Sequence, residues 1–551
     1  VGEGAENESS ISSSAAIDEI MSHERLIVMP LENLTGEPED DVWSMLAAEW
    51  IGNAIDRPRP IDVIPAATVR DALKVLGDSA SVSAVANRVA ASHAIAGTLA
   101  RTGDQVRFQV ELLDARTEER LRTLDPAVGS VDAVEATVGR LADDAAVAAV
   151  VLLSPTTSID ERIRSMPPSI EAYKQVVLTG DLFCENRYRE AIEAGDRARE
   201  LAPELVSPLF LVRIAYLLLG RVEESDSVTA LLQSKRDQMT NVERLIQDHR
   251  INDSAGDLDL ATRTAEELFR IMPTTVLGGY QAARIALWTR RTTEAVDRFH
   301  MVDIDGPCER EWRPWWPNLA DAYHLLGRYE DELSLVRRGL ERFPEYRALM
   351  DREARALAAM DREGRVDSLL VAMEALPPRS GNDPNVSAVL AGLELRAHGH
   401  HEAARRTLET AADRYATLPP GQHRHNRGLA YQHAGRWNDA DTTFAALAAE
   451  EPESWAVLAD HGVVLAMMGR VAEAEALSRR LMEFDVHPSR RGEVIVRRVA
   501  IAAALGEQED AIALLQEAFA AGYRYGTQFH TDPAYVSMRD NPQWAALVAP
   551  G

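Results

Sequence analysis

From about residue 170 to residue 520, apolar positions recur three and four residues apart, as on one face of a helix, and the runs they form are cut at regular places. Five positions past each cut sits an anchor residue, small in most cases: Ala191, Ser225, Ala261, Ala295, Glu332, Leu369, Ala404, Ala440, Ala474 and Ala511. Successive anchors are 34 to 37 residues apart. Eight of the ten cuts are glycine, at Gly220, Gly256, Gly327, Gly364, Gly399, Gly435, Gly469 and Gly506, with Asn186 and Arg290 at the other two. A chain that leaves one helix and reverses into the next needs a residue tolerant of positive φ, which glycine supplies. Pro203, Pro273, Pro344 and Pro452, about twelve residues after an anchor, close the second helix of a pair. The pattern predicts about ten helix pairs, with small anchors letting paired helices approach closely.

Residues 24–153 are patterned differently. RLIV starts a short buried strand, and 41–56 has helical spacing with Val42, Leu46, Trp50 and Ala54 on one face. IDVIP predicts a second strand and 80–91 a further helix. Val106, Phe108, Val110 and Leu112 then alternate with polar residues after a turn at Thr102-Gly103-Asp104, the signature of a hairpin. With a helix over 131–153 this makes an α/β sandwich, expected to fold as its own unit. The fold class predicted for the whole chain is therefore an α/β amino-terminal domain followed by an all-α solenoid. FHTDPAYVSMRDNPQWAALV, closing on Trp544, departs from the repeat and predicts a carboxy-terminal cap over 525–551. Residues 1–23 read as a flexible tether, 154–168 as a linker and 169–524 as the repeats.

A period near 34 with helix–turn–helix punctuation resembles the tetratricopeptide repeat. The unit at 421–452 carries Gly428, Tyr431, Gly435, Ala440, Phe444 and Pro452; the unit at 313–344 carries Trp316, Leu319, Tyr323, Gly327 and Pro344, with Glu332 in place of its anchor alanine. Residues 24–153 resemble a domain related to the TolB amino-terminal fold, on MPLENLTGEPEDD and HAIAGTLARTGDQVRFQVELLDARTEERL. Leu31 stands where that family usually has phenylalanine. Together the resemblance is to the extracytoplasmic region of bacterial signalling proteins: receptor-like Ser/Thr kinases, adenylate cyclases or winged-helix regulators. The kinase, cyclase or DNA-binding part is not in this chain, so the resemblance implies no activity and no catalytic residue.

Of 551 residues, 46% are hydrophobic and 26% charged, as in folded globular proteins. A net charge of −28 argues against nucleic acid or an anionic membrane surface as partner, since both require a basic face. The longest apolar run, AAVAAVVLL, is half the ~20 residues a membrane span needs, so no membrane insertion by this segment is expected. The two cysteines, Cys184 and Cys308, fall in different repeats and are expected to be free thiols; their scarcity fits a cytoplasmic as well as an extracytoplasmic home. Opening on Val1, the chain reads as a processed or truncated form of a longer product.

No phosphate-binding glycine loop, HExxH or GxSxG occurs, so neither enzyme chemistry nor a cofactor is expected. Among crowded histidines, His400, His401 and His433 are the weak metal candidates, with no cysteine or aspartate poised to complete a tetrahedral set. Tyr280, Arg284 and Trp288 are spaced i, i+4, i+8, and Trp312 and Trp315 lie in the long loop that precedes the repeat core position Trp316. These five are the candidate partner site: large aromatics flanking an arginine have the composition of a binding hot spot, though they also suit the core of an irregular repeat. The function expected is non-enzymatic binding of a protein or peptide in the concave groove, within an extracytoplasmic, membrane-tethered sensing region. The alternative is a scaffold subunit docked on a larger complex, which a membrane protein complex could supply.

Overall fold

Alternation along the first strand decides how the sheet is buried. In the computed structural model, described for residues 25–551 except 57–60, 78–79, 154–169, 240, 307–308, 377–382 and 420, β1 (Arg25–Val28) sends Leu26 and Val28 to one face and Ile27 and Met29 to the other. The expected tether and linker lie outside the described residues. β2 (Glu32–Asn33), β3 (Asp62–Val63), β4 (His93–Thr102), β5 (Gln105–Asp114), β6 (Arg120–Thr123) and β7 (Ala127–Ser130) complete the sheet, in the order β3-β1-β4-β5-β6, with β2 beside β4 and β7 beside β5. β4 and β5 form the expected hairpin, Thr102 opposite Gln105, turning through Gly103 at φ +63°. One face packs on the helices Asp41–Asp56 and Val134–Leu153, joining Val106, Phe108 and Val110 to Trp50 and Leu141. The other packs on Val82–Val89 and on Ala66–Leu76, a helix the hydrophobic pattern had not marked.

Twenty helices follow, from Ile170–Cys184 to Gln508–Ala520, in ten consecutive pairs that fit the tetratricopeptide pattern. Nine of the ten predicted reversal positions have positive φ: Asn186, Gly220, Gly256, Arg290, Gly327, Gly399, Gly435, Gly469 and Gly506. The sixth is corrected. Gly364 lies in the first turn of the helix Glu363–Glu374, and the reversal is made by Asp361 at φ +59°. Aspartate tolerates this conformation by bonding locally, so it displaced glycine as the punctuation. The anchor moves with it from Leu369 to Val366, and all ten true anchors are at most 1% exposed.

The chain divides into two compact units, each described here by itself: Val1–Arg250 with Thr262–Ala282 and His300–Trp312, and Ile251–Ala261 with Ala283–Phe299 and Arg313–Gly551. The first unit thus holds the sheet together with the first helix pairs. Arg25, 1% exposed, donates from Nη2 to the carbonyl of Ile271, Arg270 pairs with Asp62, and Asn241 Nδ2 donates to the Asp56 carbonyl at 3.1 Å. Burial, opposed by Asp62, pulls the Arg25 guanidinium down to about 10. Cys184 is disulfide-bonded, which corrects the expectation of free thiols; Cys308 lies outside the described residues. Separation in sequence sets no lower limit on the distance between Cα atoms, and only that distance decides bridging.

In the second unit the end of the chain does more than cover the last helix pair. Phe529, Tyr535 and Trp544, each 3% exposed or less, stack with centroids 5.1–6.0 Å apart. On either side of them the chain returns to the pair Gln281–Trp288 and Thr292–Met301. Tyr525 N donates to Trp288 O at 3.0 Å, Arg290 Nη1 to Leu547 O at 2.6 Å, Gly551 N to Arg290 O at 2.7 Å, and Thr293 N to Gly551 O at 3.0 Å. The expected cap is also a clasp.

Candidate functional site

The five aromatic-site residues fall into three groups. In the first unit, Tyr280 ends a π-helical turn, Val276–Tyr280, and meets Trp312 edge to face with centroids 5.7 Å apart. Arg284 and Trp288 share one face in the second unit: the guanidinium lies 4.2 Å from the indole centroid. Arg524 approaches the same indole at 3.8 Å, and both arginines bond Asp253, at 2.9 and 3.0 Å. The composition of a hot spot is therefore engaged by the chain's own carboxy-terminal region. Trp315 is 3% exposed; its Nε1 donates to Phe299 O at 3.0 Å, and its ring meets Trp316 at 5.0 Å.

A second constellation begins at the one charged anchor. Small residues occupy most anchors because two helices cross there; Glu332 occupies one and is 0% exposed. Its carboxylate is satisfied on both sides. His324 Nδ1 lies 2.8 Å from Oε2, and Arg355 Nε donates to Oε1 at 2.9 Å. Arg355 also bonds Asp321 at 2.6 Å, and Asp321 takes Arg352 at 2.8 Å. On the far side of the imidazole, His324 Nε2 is 3.0 Å from Glu394 Oε1, and His398 Nε2 is 2.9 Å from the same oxygen. The helices Trp315–Leu325, Arg347–Ala359 and Pro384–Ala397, first members of successive pairs packed side by side, carry most of this layer.

Charge chemistry follows from that geometry. Burial and Arg355 push His324 down, but hydrogen bonds to Glu332 and Glu394 outweigh them and raise its pKa. Burial would raise Glu394; hydrogen bonds from the two histidines overcome it and hold the carboxyl at about 2. Asp321 likewise sits at about 2, because Arg352 and Arg355 outweigh its burial. Of these residues only the replaced anchor, Glu332, was visible in the sequence. His324 faces it across its own helix pair, and Arg355 becomes a neighbour through the stacking of the next pair.

The three weak metal candidates do not share a site. His400 Nδ1 lies 3.1 Å from Asp361, in a trio with Glu363 of which only Asp361 is exposed; His401 is exposed at the start of the helix His401–Thr417. His433 is buried near Asp532, Arg396 and Asp460, and burial lowers its pKa. Among the described residues, the two groups with metal-compatible spacing are Asp361/Glu363/His400 and His324/Glu394/His398.

In the first unit a recess lined by Asp71, Arg88, Thr275, Asp303 and Glu309 holds another displaced group. Burial, then Asp71 and Asp303, pushes Glu309 up to about 7. A carboxyl whose folded pKa exceeds its unfolded one stabilises fully below about pH 4.5, and that stability is lost as pH rises towards 7. Glu309→Gln is therefore expected to be about 2 kcal/mol more stable than the parent at pH 8 and nearly equal at pH 4.5, after discounting for its partial exposure. Urea unfolding at the two pH values checks this; an equal difference at both would refute it.

No family model and no curated protein sequence matches the chain. Among solved structures, the chain is similar to a tetratricopeptide repeat protein from Parabacteroides merdae at 16% identity, covering 54% of this chain and 98% of that one, with a TM-score of 0.27. It is also similar to Naa15/Naa10 bound to HypK-THB, at 11% identity, over 62% of this chain and 68% of that one, with a TM-score of 0.20. The fold assignment rests on the ten helix pairs themselves.

Proposed function

We propose that the chain is a non-enzymatic scaffold that binds a protein or peptide, and that it works as the extracytoplasmic, membrane-tethered sensing region of a bacterial signalling protein. The observation that carries the binding role is the array of ten helix pairs, an architecture that multiplies surface without building a deep reaction chamber. The disulfide at Cys184 supports the compartment, because such bonds persist where thiols are not kept reduced. Among the described residues no helix is long and apolar enough to cross a membrane, so anchoring is assigned to sequence outside them. Arg284 and Trp288, partly exposed on one face of the second unit, are the residues assigned to the partner.

The test is capture from native membrane and periplasmic extract, identification of the partner, and its titration against variants. Trp288→Ala is expected to weaken binding by about 2 kcal/mol or more. Trp316→Ala, a core control 3% exposed, is expected to lower the melting temperature and leave the affinity of the folded fraction unchanged. Unchanged affinity for Trp288→Ala with lost thermal stability would assign these aromatics to the core alone.

A further inference from the structure

Two imidazoles aim at one oxygen. His324 Nε2 and His398 Nε2 stand 3.0 and 2.9 Å from Glu394 Oε1. A carboxylate has two oxygens and about four lone-pair directions, so one oxygen can take both ring N–H groups. A cation at their centre makes the same convergence natural. In a tetrahedral Zn²⁺ site with bonds of about 2.0–2.1 Å, neighbouring ligand atoms stand about 3.3 Å apart. Opening these contacts by a few tenths of an ångström admits the ion without moving a helix.

The surroundings fit as well. A histidine that binds metal through one nitrogen normally has the other held by a carboxylate, which fixes the tautomer and raises basicity. Glu332 does this for His324 at Nδ1, and Arg355 holds Glu332 in turn. Glu394 and His398 come from one helix end at i, i+4, and His324 from Trp315–Leu325, the first helix two pairs earlier. Tyr329 walls the site, its ring 5.1 Å from His324 and 5.3 Å from His398 by centroid. We propose that His324, Glu394 and His398 form a divalent-cation site, with Zn²⁺ the ion that suits two imidazoles and one carboxylate. Three protein ligands leave the fourth position to water.

The probe is Zn²⁺ alone, added to the full chain after chelation and followed by calorimetry and melting temperature. The expected result is one ion per chain, a rise in melting temperature, and an affinity lowered at least about 100-fold in His398→Ala, a partly exposed position that should tolerate the change. Glu394→Gln keeps size and removes the charge, and should show the same loss. His400→Ala, in the separate trio with Asp361 and Glu363, should leave binding unchanged. The proposal is overturned if the parent takes up no Zn²⁺ below about 10 μM. It is equally overturned if His398→Ala binds as the parent does, or if His400→Ala abolishes uptake.

Discussion

Glu332→Ala is expected to cost the second unit about 3 kcal/mol, although alanine is what the repeat calls for at that position. Two effects compete. Alanine is the better helix former and suits a close helix crossing, which is worth at most about 0.5 kcal/mol. Against it, removing one member of a buried ion network leaves its partners buried and uncompensated, at about 3–5 kcal/mol. Arg355 keeps Asp321 as a partner, so the lower end applies. His324 keeps Glu394 but loses the group at Nδ1. Urea unfolding followed by tryptophan fluorescence, in buffer containing a chelator so that no bound ion contributes, measures the difference. A variant as stable as the parent would mean that Glu332 is tolerated rather than used.

The same residue marks how far the sequence could be read. The array was legible because each reversal imposes a local demand, positive φ followed by a close helix crossing, and local demands leave local residues. Where two residue types could meet the demand, the register slipped: Asp361 turns the chain and Gly364 sits harmlessly in a first helical turn. The site was legible only as an anomaly. That Glu332 meets His324 depends on how the two helices of one pair cross, that it meets Arg355 depends on the stacking of the next pair, and that His324 also meets Glu394 depends on how two successive pairs rotate. Neither leaves a spacing to count. Likewise, periodicity put Arg284 and Trp288 on one face but said nothing of Arg524, which arrives from the far end of the chain. The disulfide was missed for the same reason.

Trp544→Ala is the substitution expected to act furthest from its own position. Trp544 is 1% exposed and packs on Phe529 and Tyr535, so truncation should cost about 3–5 kcal/mol. Were the carboxy-terminal segment a cap on the last helix pair alone, only residues near 500–548 would loosen. The backbone bonds point elsewhere. The first N–H groups of a helix have no partner within it. In the helix Thr292–Met301 the Thr293 N–H is satisfied by Gly551 O, while Arg290 Nη1 donates to the Leu547 carbonyl and the Arg290 carbonyl accepts from Gly551 N. Loosening Trp544 therefore releases that helix start too. Hydrogen exchange should show the Thr293 and Tyr525 amides losing protection together in the variant, with the helix Trp437–Glu450 little changed at the same denaturant. If Thr293 stays protected while the segment around Trp544 exchanges freely, the clasp does not couple the two ends, and the carboxy-terminal segment is a local cap.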